Sequence, residues 1–365
     1  MAPAARWIAV ALVALACAAA PALPRLVPVA QSTTGAKALA DVARDSPEVG
    51  WSGEVRTQGS LDVPLEDSRF GGVARLLGEQ NHLRVWWRDD EHWRVDRIRA
   101  TGETDLVRSA ALAVRWNYEQ ETVRVSTYPD VRLPDDNDIL PPTLAARLLG
   151  SAGPSELSRL SARRVAGRSA AGLRLVPGDP ASTIARVDTW VDEEARLPLR
   201  VEVYGAGDGR HPVLTSEVVE LDPATPTWRQ VGFRISPQAD VRREATLDDV
   251  AGANAFAPFR LPGRVAGLDR RAAATGLGAV GIYGRGPTAL LALPLRDGVA
   301  EDLSDQLARS RASREAGRSV ALEVGPLSVL LVRGGDANFL LTGTVTPGTL
   351  RRAAGDLARE VVRTR

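Results

Sequence analysis

Between residues 49 and 128 the chain runs in short stretches of alternating apolar and polar residues, and the gaps between them are too short to hold crossover helices. Parallel neighbours need a crossover of about a dozen residues or more, so these stretches must pair antiparallel, as a meander. The clearest pair is 82–88 and 93–98, joined by the polar turn Asp89-Asp90-Glu91-His92. Further strands are expected at 105–109, 112–118 and 122–128. Past the acidic loop Asp135-Asp136-Asn137-Asp138, residues 141–150 open on Pro141-Pro142 and close on Gly150, which is helix punctuation. Strands resume at 161–166, 172–176, 184–191, 197–204 and 212–221. A sheet of about ten such strands has to curl, and helices packed inside the curl supply the second wall of a cavity.

A shift to Gly and Pro at 248–262 marks a boundary. Beyond it the pattern predicts strands at 278–283 and 288–294 around the turn Gly284-Arg285-Gly286-Pro287, then a helix at 299–314. Strands at 319–324, 327–333 and 337–343 and a last helix at 347–362 complete a small α+β domain with an antiparallel sheet. The organisation read from the sequence is a targeting segment at 1–24, a linker at 25–37, a half-barrel domain at 38–247 and the small domain at 263–365.

The targeting segment begins with Arg6 and continues as an apolar run from Trp7 to Ala20 that meets Pro21 and Pro24. This is the layout of an export signal, either cleaved or kept as a membrane anchor, and it directs the rest of the chain outside the cytoplasm. Cys17 lies inside this run, with Ala14 where a lipoprotein processing site has a large aliphatic residue, so it reads as one more small apolar residue. It is the only cysteine, which leaves the downstream domains without disulfides or cysteine metal sites.

The formal net charge of +1, from 46 basic and 45 acidic residues, gives no overall field for nucleic acid. Lys37 is the only lysine, and the arginine excess reads as ordinary surface charge. None of the three histidines, His82, His92 and His211, has a partner at metal-ligand spacing, so neither a metal nor another cofactor is expected. The stretch Gly281-Ile282-Tyr283-Gly284-Arg285-Gly286 looks like a phosphate loop, but a strand follows it where a helix is needed, which makes it a hairpin turn. No Gly-x-Ser-x-Gly elbow occurs, and no nucleophile–base pair can be proposed, so the chain is read as a non-enzyme. Five of the eight tryptophans, Trp51, Trp86, Trp87, Trp93 and Trp116, fall in the first strand block. Aromatic residues suit strand cores. Trp86 and Trp87 are adjacent and must point to opposite faces, so either both faces of the sheet are covered or one indole is exposed for a partner.

The stretch Ile184-Ala185-Arg186-Val187-Asp188-Thr189-Trp190-Val191, its turn Asp192-Glu193-Glu194-Ala195-Arg196 and the return Leu197-Pro198-Leu199-Arg200-Val201-Glu202-Val203 resemble a hairpin of LolA-like lipoprotein carriers and RseB/MucB-like sigma-factor regulators. Val49-Gly50-Trp51-Ser52-Gly53-Glu54-Val55 is similar to the family's first strand, Trp93-Arg94-Val95-Asp96 to a later one, and Val165-Ala166-Gly167-Arg168 to the strand that begins the second half. The resemblance covers residues 38–222 and implies an unclosed antiparallel β half-barrel with a helical lid, used to hold the acyl chains of a lipid or lipoprotein. The two-domain layout looks more like the RseB type, which implies the extracytoplasmic part of a membrane-bound anti-sigma factor as a partner. Residues 263–365 match no motif of that type. The expected cavity lining is Val85, Trp87, Trp93, Val95, Trp116 and Leu148. The competing reading is a structural envelope protein whose barrel is filled by its own side chains and whose small domain docks a membrane protein.

Overall fold

The computed structural model describes residues 29–62, 71–128, 132–207, 209–243, 259–271, 278–310, 312–316, 319–334 and 337–363. The export segment at 1–24, the start of the linker and most of the boundary at 248–262 lie outside the described residues. Among the described residues no helix is long and apolar enough to cross a membrane.

The large sheet contains β1 (Trp51–Gly59), β2 (Gln80–Asp89), β3 (His92–Arg99), β4 (Gly102–Ser109), β5 (Leu112–Asn117), β6 (Thr122–Thr127), β7 (Leu157–Val165), β8 (Arg168–Leu175), β9 (Ile184–Asp192), β10 (Leu197–Gly205), β11 (Leu214–Asp222) and β12 (Asp240–Arg243). Its order is β12-β6-β5-β4-β3-β2-β1-β11-β10-β9-β8-β7, so β12 and β7 are open edges and the barrel is unclosed. Three helices lie in this part: α1 (Ala36–Asp45), α2 (Gly71–Gly78) and α3 (Pro141–Leu149). A single turn, α4 (Trp228–Val231), precedes β12.

Register decides what each face carries. Trp51, Trp87 and Trp93 are cross-strand neighbours, as are Val55 with Leu83 and Val85 with Val95 and Leu106, so one face of β1 to β4 is continuously apolar. Ile139 and Leu140 pack on this inner face. Further along the sheet, Leu39, Ala40 and Ala43 of α1 and Leu144, Ala145 and Leu149 of α3 cover the inner residues of β8 to β11, including Leu173, Val187 and Val201. Each Leu or Val side chain buried this way contributes about 1.5–3 kcal/mol.

The outer face carries opposite charges on neighbouring strands. Arg174 and Asp188 are register partners joined by two bonds of 2.7 Å, Arg200 reaches both Glu202 and Glu217, and Arg94 bridges Asp96 and Asp105 at 2.6 and 2.8 Å. Such pairs hold an outer face in register. Trp86 lies on this side with the Arg94 guanidinium 5.3 Å from its ring centre, so both faces of the sheet are covered at the Trp86-Trp87 step.

The small sheet has the order β16-β17-β21-β20-β19-β18. Leading into it are β13 (Phe259–Arg260), β14 (Arg264–Val265) and β15 (Leu268–Asp269), and the sheet itself uses β16 (Gly281–Arg285), β17 (Thr288–Leu295), β18 (Ser313–Ala316), β19 (Ser319–Val324), β20 (Leu327–Val332) and β21 (Asn338–Gly343). Helices α5 (Asp297–Ala308) and α6 (Pro347–Glu360) cover its two faces, and β22 (Val362–Arg363) pairs with β13. The glycine stretch at 281–286 is the β16–β17 hairpin, with Gly284 and Gly286 at φ of 82° and 50°, a region that glycine enters without steric cost.

Three local expectations change. The meander β1 to β6 is antiparallel throughout, but the large sheet is not, because β12 is added parallel to β6 at its edge. More than a hundred residues separate the two strands, ample for a crossover, and the four residues of β12 are too few to show a periodicity. The helix expected at 299–314 spans Asp297–Ala308, because residues 313–316 are taken up as an edge strand against β19. Helix α2 has no counterpart in the sequence reading.

The two sheets are tied together at several points. Thr183 and Thr346 share backbone hydrogen bonds with Thr344 and Ala181, and Arg285 makes a bidentate pair with Glu156 at 2.7 and 2.8 Å. The Arg285 hydrogen bonds, with help from the Gly178 and Gly153 amides, pull the Glu156 carboxyl down to about 2. A carboxyl whose folded value lies below its unfolded one contributes stability above the unfolded value, about 4.5, and loses it as pH falls toward 2. Replacing Glu156 with Gln is therefore expected to lower the melting temperature at pH 7 and to leave a smaller drop between pH 5 and pH 2 than the parent shows. A pH series of thermal melts checks both.

Candidate ligand site

Along β3 the inner face reads Trp93, Val95, Arg97, Arg99, since alternate residues share a face. The ladder carries Val95 to Leu106, Arg115 and Arg124, and Arg97 to Thr104, Asn117 and Thr122. The inner face is therefore apolar around the tryptophans and turns polar and cationic toward β5, β6 and the end of β3. Arg97, Arg99, Arg115 and Arg124 line a cavity of about 340 Å³ there, closed on its other side by α2 and by Leu133, Pro134 and Asp135.

Helix α2 separates this cavity from a second one. Gly72, Arg75 and Leu76, at helical spacing, face the arginines, while Ala74 and Leu77 face the small sheet, and Val73 borders both. Ala74 and Leu77 also pack with Leu61, Val324 and Leu327, which clamps the helix between the two sheets. Gly59 permits that approach, because a Cβ there would lie 1.9 Å from the Leu77 carbonyl oxygen. The second cavity, about 390 Å³, has a floor of half-buried Ile282, Leu291, Leu293 and Thr342 on the small sheet, and among the described residues Arg132 is the one charged side chain in its lining. α5 covers the same face of the sheet further along, over β19 to β21, and leaves this part open.

The acidic loop fixes the rim between the cavities. Residues Asp136–Ile139 form a tight turn whose carboxylates are buried. Asp136 accepts from Arg97 Nε at 2.8 Å, and Asp138 sits between Arg132 at 2.5 Å and Arg147 at 2.6 Å. Burial raises both carboxyls. For Asp138 the two guanidiniums outweigh it and hold the group below the ordinary range, whereas Asp136 stays above it.

Four of the six expected lining residues, Val85, Trp87, Trp93 and Val95, are at most 1% exposed and belong to a closed core, not to an open cavity. Trp87 and Trp93 stack at 5.4 Å, Tyr128 meets Trp93 edge-on at 5.8 Å, and the indole N–H groups donate to the carbonyls of Pro47 and Asp90. Trp116 lies on the outer face, because it pairs with Asp105 while its neighbour Arg115 takes the inner position beside Leu106. There it meets Tyr118 and Phe233 at 6.4 and 6.0 Å. Leu148 is half-buried against the α1–α3 cluster. Buried Arg97 and half-buried Arg115, ion-paired to Asp136 and Asp135 on the inner face, also depart from the expectation of ordinary surface charge. The signal for Arg97 was present in the sequence as the period-two run from Trp93 to Arg99, and α2 was present as Val73, Leu76 and Leu77 at spacings of three and four.

Outer-face Asp96, Glu103 and Asp105 form the one group of three clustered carboxylates at metal-ligand distance among the described residues. Arg94 already supplies a positive charge to two of them. Burial, reinforced by the charge of Asp96, pushes the Asp105 carboxyl up to about 7.

No protein-family model matches this chain, and no curated protein does. Among solved structures, a chain of the Pseudomonas aeruginosa MucA/MucB complex matches at 16% identity over 87% of this chain and 96% of that one, with a TM-score of 0.48. MucB in complex with MucA(peri) matches at 15% identity over 87% and 97%, with a TM-score of 0.46. The chain is similar to MucB and to LolA-like proteins. The latter include a LolA superfamily protein from Nitrosomonas europaea, at 14% identity over 55% of this chain and 99% of that one, with a TM-score of 0.23. The half-barrel itself stands on the strand order and open edges described above.

Proposed function

We propose that this is an extracytoplasmic, non-enzymatic binding protein that takes an acyl chain of a lipid or lipoprotein into the apolar cavity between α2 and the small sheet. The observation that carries the reading is that cavity's lining, nearly all aliphatic and with Ile282, Leu291 and Leu293 left half-exposed on its floor. Its volume of about 390 Å³ falls in the range of small-ligand sites. Burying an acyl chain contributes about 0.8 kcal/mol per methylene, so such a cavity binds strongly with few polar contacts. The export segment read from residues 1–24 supports the location. A protein partner belongs to the same proposal: the hairpin motif shared with RseB-like regulators implies the extracytoplasmic part of a membrane-bound anti-sigma factor.

Leu291→Glu is the direct test. It puts a carboxylate on the cavity floor at a half-buried position, and is expected to weaken binding of a long-chain fatty acid at least about a hundredfold while the protein stays folded. Equal affinity of the two proteins, measured by titration calorimetry, would sink the acyl reading.

The tightly filled inner face around Trp87 and Trp93 favours a second reading, a scaffold that holds no lipid and docks a membrane protein. Crosslinking in the envelope separates the two, since a scaffold traps a protein neighbour and yields no lipid.

A further inference from the structure

We propose that the outer face of the meander carries a second binding pocket, between β4, β5 and the segment that precedes β12, and that it takes a small zwitterion, an ammonium group joined by a short link to a phosphate. The proposal is independent of the acyl reading, which concerns the cavity between α2 and the small sheet.

The segment between β11 and β12 is pinned to the outer face through Trp228. Arg88 lies 4.1 Å from the centre of its ring and donates to the Pro226 carbonyl at 2.7 Å, and His92 meets the indole edge-on at 5.0 Å. Five residues further on, Phe233 comes to rest beside Trp116, which also meets Tyr118. These three rings line an open pocket of about 570 Å³ together with Glu103 and Asp105 of β4.

The carboxylates here lack a cation by their own contacts. Asp96, Glu103 and Asp105 present oxygens within 4.8 Å of one another. Arg94 takes Asp96 through two bonds and Asp105 through Oδ2, while Glu103 has no ion pair among the described residues. Asp105 is 3% exposed, and its Oδ1 is buried and accepts no hydrogen bond. A buried oxygen left unpaired costs free energy until a donor arrives. A proton shared with Glu103 fills the gap only while one carboxyl is neutral, in keeping with the Asp105 carboxyl lying near 7. An ammonium group brings the donor and the missing charge together, and aromatic rings attract it through their faces. A divalent ion suits the place less well. Calcium takes six to eight oxygens, and Arg94 already holds both of those of Asp96 and one of Asp105.

Arg229 and Arg234 line the same pocket from the crossing segment, exposed and in no ion pair among the described residues. Two guanidinium forks match the double charge of a phosphate better than the single charge of a carboxylate. Ethanolamine phosphate carries both parts, either free or as the headgroup of a lipid.

The test is titration calorimetry on the full exported chain with phosphoethanolamine, ethanolamine, inorganic phosphate and calcium. Phosphoethanolamine is expected to bind at least about tenfold tighter than ethanolamine or phosphate, and calcium not to bind. Glu103→Gln spares the Arg94 pairs and is expected to weaken phosphoethanolamine at least about tenfold. Arg229→Gln/Arg234→Gln, at two exposed positions, is expected to reduce it to the affinity of ethanolamine. Saturation should also move the carboxyl-carbon titration of Asp105 to lower pH in NMR spectra. Phosphate that binds as tightly as phosphoethanolamine, or phosphoethanolamine binding that Glu103→Gln leaves unchanged, overturns the ammonium site, as does calcium binding in its place. No saturable binding of phosphoethanolamine, with the Asp105 titration unmoved, overturns the whole proposal and leaves the acyl reading standing. Lysophosphatidylethanolamine, offered to the Leu291→Glu protein so that the apolar cavity does not contribute, separates the two sources. Binding at least about tenfold tighter than phosphoethanolamine supports a lipid headgroup, and equal affinity supports the free zwitterion.

Discussion

Trp93→Ala is expected to destabilise the protein by about 3–5 kcal/mol, the range for removing a large buried aromatic side chain and leaving a cavity. Trp93 is fully buried at the centre of the inner face, stacked on Trp87 and edged by Tyr128. Its neighbours Trp51 and Trp87 are held by strand register, so the space cannot readily collapse. The loss should appear as a lower denaturant midpoint with an unchanged slope. The cost has a functional side, because Leu76 of α2 belongs to the same core cluster, and loosening that cluster loosens the partition between the two cavities.

Asp136→Ala should cost about as much, roughly 3–5 kcal/mol, for an electrostatic reason: it leaves a buried guanidinium without its counter-charge. Arg97 is 8% exposed and Asp136 1%. The double variant Arg97→Met/Asp136→Ala removes both charges and should recover a large part of the loss. A double-mutant cycle by chemical denaturation measures the coupling. A coupling energy close to zero, with the double variant losing the sum of the two single losses, would mean that the two groups act independently.

Most of the fold was legible because strand period and turn residues are local signals. The strand pair at 82–88 and 93–98 appears as β2 and β3, the helix at 141–150 as α3, and the hairpin at 184–203 as β9 and β10. The site was legible only in part, since it depends on which strand faces share a side across the ladder. Trp116 and Arg115 differ by one position, and that single step sends the tryptophan outside and the arginine in. Val85, Trp87, Trp93 and Val95 were placed on the correct face, but nothing local reveals whether a face is filled or open. The apolar cavity draws on α2, on residues 132–134 and on the small sheet, which lies more than a hundred residues from the other two, a juxtaposition that no motif encodes. Helix α2 is only eight residues long and has glycines at both ends, which hides its apolar face from a search for longer periodic runs.

The central claim is that an acyl chain occupies the cavity between α2 and the small sheet. The most direct measurement is native mass spectrometry, with organic extraction, of the protein purified after export by an envelope-exporting host. The account predicts a co-purifying lipid with at least one acyl chain, lost from the Leu291→Glu protein. A parent protein that is ligand-free, and still empty after exposure to membrane lipids, would contradict it and leave the filled-barrel scaffold as the reading to pursue.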